Sequence, residues 1–348
     1  MTRPRLITVG SVLVAAIVVA VVLTVVNRDH KPPLLKHTPI APAAKQAPRP
    51  NGTVVGTDEQ PNQVAVEAIE GTRAAFGVRP DLTPLAPKAF AAPIASYRSY
   101  SVRQARALAT DVRALRGALA GGDRAAAKRA WAAAYDHYLL IGAAYGALGD
   151  LDVAIDGGPG SLPGGVDDPK FSGLHRIEYM LWTGKPLASV APWAAKLQAD
   201  VAKLPSALRD AELDPLTYAT RSHEILEDAQ RDMLSGRAAR WSGAGVAATD
   251  DGLKATKVVV GTLARVLAGR GDVQQQVDYR LSGLQRQLDA LKRAHHGALP
   301  TLAQLTPTQR QRLNGSVGAS LEALAGLPGA LETSLPPVIP KLPQPKRR

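Results

Sequence analysis

Phe171 to Trp182 reads FSGLHRIEYMLW, a proline-free apolar run closed downstream by Gly184 and Pro186. Glycine and proline just past a periodic run are helix stops, so the stretch predicts a helix over about 172–183. On that helix His175 and Glu178 are three residues apart and project from one face, one turn from each other. An imidazole nitrogen beside a carboxylate is half of a coordination shell for a borderline or hard metal ion. Taken in isolation, so short a motif is more often a core histidine with a helix-face ion pair.

Its surroundings carry more of the same chemistry. Upstream, GDLDVAIDGGPGSLPGGVDDP sets Asp150, Asp152, Asp156, Asp167 and Asp168 among glycines and prolines. Calcium loops also space acids at alternate positions, but the closing glutamate of an EF-hand is missing, and caps and turn formers have this composition too. Downstream, RSHEILEDAQ repeats the three-residue spacing at Glu224 and Glu227, with His223 before and Asp228 after. A solvated helix face accounts for such acids. Ile225 and Leu226 nevertheless require part of this helix to be buried, and a buried carboxylate needs a cationic partner. Asp250 and Asp251 in ATDDG are weaker candidates for the same cavity.

Working outward, long alanine-rich stretches alternate with Gly/Pro breaks, and no segment has strand-pair chemistry. Helical spacing predicts helices near 64–76, 102–119, 124–148, 188–208, 215–235, 244–268, 272–296 and 306–327, beside the one over 172–183. The fold class is therefore all-α, with helices packed in bundles. Leu6 to Val26 is an apolar run preceded by Arg3 and Arg5, long enough to cross a bilayer. It reads as a signal anchor over 1–27, giving a single-pass protein of the cell membrane with its C-terminal domain outside the cytoplasm. A cleaved signal peptide, giving a secreted protein, is the competing reading. Residues 28–62 are a proline- and lysine-rich linker, 63–335 the folded domain, and 336–348 a basic tail.

The net charge of +12 suggests nucleic acid until it is divided. Residues 1–60 carry seven basic and three acidic side chains, and 336–348 four basic and no acidic ones. Only +4 is left over the domain, too dilute for a nucleic-acid face. With no cysteine, disulfides, thiolate metal sites and a cysteine nucleophile are excluded. Residues 223–227 read H-E-x-x-E rather than the H-E-x-x-H of a zincin, and no G-x-S-x-G, Walker loop or dinucleotide fingerprint occurs.

Taken together, GLHRIEYMLW, the preceding GDLD, DG and LPGG elements and HEILED resemble the imelysin-like family, in particular its EfeO-type iron-uptake branch, over roughly Ala95 to Leu331. The resemblance implies two helical bundles side by side, with a boundary near residue 210 and the site near their junction. His175 and Glu178 match the family's H-x-x-E position for position, although Leu174 stands where phenylalanine is common. Glu227 gains weight from the same comparison. The implied function is an extracytoplasmic metal-binding component of iron uptake, with His175, Glu178, Glu227, Glu224, Asp152 and Asp150 as candidate metal ligands. Iron is the implied ion, and a nitrogen/oxygen donor set also suits zinc, manganese or copper. A membrane iron permease and a peroxidase-like protein are the implied partners. The alternative from a different class is a metal-dependent peptidase or hydrolase of the cell envelope, because the founding member was described as a peptidase.

Overall fold

The computed structural model describes residues 85–331. The signal anchor, the linker, the expected helix over 64–76 and the basic tail lie outside the described residues. Within them the chain is helical, with no strand and no helix long and apolar enough to cross a membrane.

Helix α1, Ala91–Ala120, begins well before the position its periodicity marks. The loop expected up to about Tyr97 is helical because Pro93 falls in the first turn, where a missing N–H costs nothing, and Phe90 and Tyr97 are buried. A tight turn leads to α2, Arg124–Leu139, whose first turn is capped by the Asp123 carboxylate accepting from Ala126 N at 2.8 Å. This helix was expected to continue to Leu148. It ends early, at Leu139, shortly before Gly142, which takes φ +45° and leaves no room for a Cβ against Ile225 and Ala255.

The aspartate-rich stretch, expected as a loop, contains a short helix α3, Asp150–Asp156. Asp150 and Asp152 in its first turn complement the positive end of the helix dipole. Then come α4, Gly173–Trp182, and a broken pair, α5 (Leu187–Val201) and α6 (Leu204–Asp210), where one helix was expected. Helix α7, Pro215–Asp228, runs into a π turn, Ala229–Met233. After an irregular segment, α8 (Gly245–Leu267), α9 (Val273–Ala294), α10 (Pro307–Leu324) and the single turn α11 (Leu327–Ala330) follow.

Helices α1 and α2 form a hairpin, with α5 and α6 along α1 and α4 wedged against α2 and α5. On the other side α9 pairs with α10, and α7 lies on α8. Helix α8 touches α1 and α2 as well as α7 and α9, so a continuous hydrophobic core runs from Leu108 and Trp131 to Leu284 and Val317. That central position explains why α8 is buried nearly all round, Asp250 and Asp251 included.

Candidate functional site

The chain has four tryptophans; one, Trp182, ends α4 and the other three meet that helix. Trp131 donates from Nε1 to the Leu174 carbonyl at 2.8 Å, and Trp182 on α4 stands edge-on to the same indole at 5.1 Å. Trp193 lies under the Arg176 guanidinium at 4.7 Å, and Trp241 packs on Tyr179 at 5.2 Å. In a protein with 4% aromatic residues, this concentration clamps one short helix. Its start is equally constrained. Gly173 has φ +77°, and a Cβ there would fall on the backbone carbonyls of Ala154 and Ile155. The missing side chain lets α4 begin directly against the end of α3, which is how Asp156 reaches His175.

The imidazole of His175, 6% exposed, sits between two carboxylates. Nδ1 is 3.1 Å from Glu178 Oε2, and Nε2 is 3.2 Å from Asp156 Oδ1. Tyr135 closes one side, edge-on at 5.5 Å. Burial pushes the imidazole pKa down, but Asp156 and Glu178 outweigh it and hold the group up at about 10. The Asp156 contact is close enough for an ion pair yet off the line of a hydrogen bond. Asp156 Oδ1 is thus a buried carboxylate oxygen without a hydrogen-bond partner.

Glu178 is fully buried, and its second oxygen is saturated. Oε1 accepts from Trp241 N at 3.0 Å, Ser242 N at 2.7 Å and Ser242 Oγ at 2.7 Å. These donors belong to the irregular segment between the π turn and α8. They are aimed by Ala239, a buried non-glycine residue at φ +48°, a left-handed conformation that costs about 1–2 kcal/mol. The H-x-x-E glutamate therefore ties α4 to a loop more than sixty positions away.

His175 and Asp156 open onto a cleft of about 1050 Å³. Asp152, Asp228, Asp232, Arg231, Arg237, Arg240, Trp241 and Tyr135 also line it. Burial, offset by the hydroxyl that Tyr138 donates to it, leaves the Asp152 carboxyl raised to about 6. Burial likewise raises Asp228.

Of the residues singled out in the sequence, His175, Glu178 and Asp156 come together here, and Asp152 lines the same cleft. Glu224 and Glu227 do not line the cleft. Glu224 is paired with Arg221, while Glu227, its side chain half exposed, faces His223 at 3.6 Å. Ile225 and Leu226 take the buried arc of α7 and turn both glutamates outward, and it is Asp228 that reaches the cleft. Asp150 is exposed at the start of α3. Asp250 and Asp251 are buried but shared with Lys254 Nζ at 2.8 and 2.7 Å. Among the described residues no three carboxylate or imidazole side chains are gathered around one point as around a held ion. His175 pairs with Asp156 and Glu178, while Asp152 accepts from Tyr138.

Sequence comparison places this geometry among known proteins. Residues 93–327 match the family model described as imelysin, peptidase M75. The chain is 26% identical over 239 residues to the iron uptake system component EfeO of Shigella boydii serotype 4 (strain Sb227), and equally to that of Escherichia coli (strain K12). Each alignment covers 68% of this chain and 63% of the relative. The counterpart of Yersinia pseudotuberculosis serotype I (strain IP32953) is 28% identical over 255 residues, 71% of this chain and 67% of that protein. The chain thus spans less than two thirds of the length of the Shigella and Escherichia relatives.

Proposed function

The chain belongs to the imelysin family, and from that premise we propose that it is a metal-binding component of iron uptake, acting outside the cytoplasm with its helices arranged as two bundles around the site. The apolar run over 6–26 would tether it, and a membrane permease would receive the ion. The observation that carries this reading is the contact between His175 Nε2 and Asp156 Oδ1. Two cis donors on one ion, each about 2.1 Å from it, stand roughly 3.0–3.4 Å apart. The observed separation of 3.2 Å falls in that range, and the carboxylate oxygen has no hydrogen bond to give up.

On this reading the two residues of H-x-x-E divide the work. Glu178 keeps the proton on Nδ1 of His175, so that the entering ion would displace the Nε2 proton of the imidazolium and take that nitrogen as its donor. Its own orientation is held by Trp241 and Ser242. Asp156 supplies the first oxygen and Asp152 lies in reach of the same cleft. Nitrogen and carboxylate donors suit iron in either oxidation state as well as zinc and manganese. A hydrolase would need the glutamate as a base facing substrate, whereas Glu178 is sealed from the cleft beneath three donors.

The test is calorimetric titration of the full chain with Zn²⁺, a redox-inert probe. His175→Ala and Asp156→Asn are each expected to weaken binding by about 100-fold or more. Unchanged affinity in both variants refutes the assignment.

A further inference from the structure

We infer that the cleft receives its ion as a complex with a small polycarboxylate chelator, and that Arg240 recognises a free carboxylate of that chelator. The inference rests on the metal-binding reading above and names the form in which the cargo arrives.

The first argument is size. A hexahydrated ion occupies roughly 180 Å³, six waters at about 30 Å³ each. The cleft measures about 1050 Å³, in the range of small-molecule sites rather than bare-ion sites. The second is donor count. Of the donors lining the cleft, Asp228 and Asp232 are taken by arginines, which leaves His175 Nε2, Asp156 and Asp152, while a hard trivalent ion of the ferric type takes about six donors. A tri- or tetradentate carboxylate chelator supplies the remainder.

The third argument is the distribution of charge. Asp156 stands beside His175 at 3.2 Å, and Asp152 lines the same cleft. Toward the π turn and the segment after it, Arg231 is engaged by Asp228 at 2.6 Å and Asp232 at 2.8 Å, and Arg237 reaches Asp232 at 3.5 Å. Those two guanidinium groups and two carboxylates balance. Arg240 is left over: it lines the cleft, is exposed, and has no ion pair or hydrogen bond among the described residues. The cleft therefore carries both anionic donors and a guanidinium without a partner. A bare cation needs only the first. A metal–polycarboxylate complex, cationic at its centre and anionic at its rim, uses both, and the planar guanidinium fork matches a carboxylate in two parallel hydrogen bonds.

The fourth argument is placement. Arg240 and Trp241 follow the strained Ala239, and Trp241 N is one of the donors that grip Glu178. The same short segment thus holds the H-x-x-E glutamate on its inner side and presents an indole and a guanidinium to the cleft.

The experiment equilibrates the full chain with ferric citrate carrying ⁵⁵Fe and ¹⁴C, separates it by gel filtration and counts both labels; Zn²⁺ is titrated in parallel. The expected result is co-retention of iron and citrate near one to one. Arg240→Ala and Arg240→Glu should lower ferric citrate affinity by about 10-fold and 100-fold, with Arg240→Lys recovering part of the loss. Zinc affinity should stay within about twofold in all three variants. Iron retained without citrate, or ferric citrate affinity indifferent to Arg240, overturns the inference while zinc binding leaves the metal site standing. Failure to bind either zinc or ferric citrate overturns both.

Discussion

Replacing Glu178 by glutamine is the sharpest probe of the arrangement, because shape is kept and only the charge is lost. In the native protein one carboxylate oxygen takes three hydrogen bonds from Trp241 and Ser242, and the other faces His175 Nδ1 at 3.1 Å. Hydrogen bonds to a charged acceptor contribute about 1.5–3 kcal/mol each and neutral ones about 0.5–1.5, so three of them lose roughly 3 kcal/mol together. For a domain of this size that lowers Tm by about 6–12 °C. The imidazole loses one of the two partners that hold its pKa at about 10, so it should titrate well below that value. The sign follows from the direction of the shift. A histidine raised from 6.5 contributes stability that is complete below pH 6.5 and is lost as pH rises through about 10. The gap between native and Glu178→Gln protein should therefore be widest near pH 6 and narrow by pH 10.5, leaving the neutral-acceptor deficit. Urea unfolding of the metal-free protein at both pH values, with NMR titration of the His175 ring, measures it. Equal stability within 1 kcal/mol at pH 6, or an unmoved His175 titration, would refute the reasoning.

Three further outcomes follow from the same geometry. Gly173→Ala places a methyl group on the Ala154 and Ile155 carbonyls at a left-handed φ, so it should cost more than about 3 kcal/mol or push α4 off α3; thermal unfolding plus Zn²⁺ titration reads both effects. Glu224→Ala and Glu227→Ala should leave zinc affinity within about twofold, since neither side chain reaches the cleft, and a tenfold loss in calorimetry would return them to the site. Asp136, on α2, has its carboxyl raised to about 7 by burial and then by Asp251. A raised carboxyl contributes stability below its unfolded value of 3.8 that is lost as pH rises through 7, so Asp136→Asn should match native protein near pH 4 and exceed it in Tm at pH 8.5; parallel Tm profiles would show that burial is not felt there.

The helical class, the existence of α4 and the neighbourliness of His175 and Glu178 are legible in the amino-acid order alone, because each depends on contacts three or four residues apart that periodicity records. It also pointed at the aspartate-rich stretch, although Asp156 is set among other acids of the same type and only its position at the end of α3 distinguishes it. Helix α7 was legible as a helix but not in its rotation: Ile225 and Leu226 are adjacent and cover a wide arc, so whether Glu224, Glu227 or Asp228 faced inward stayed open until α7 was laid on α8.

The division of roles around His175 emerges only from packing between distant segments. Glu178 is held by backbone N–H groups of Trp241 and Ser242, and every residue except proline carries that group, so no pattern in the sequence marks the donors. The approach of α3 to α4 depends on a side chain Gly173 does not have, and the spare charge of Arg240 is visible only once Arg231 and Arg237 have found their acids. Local chemistry is written residue by residue, whereas complementarity between distant segments comes into being only when the helices pack.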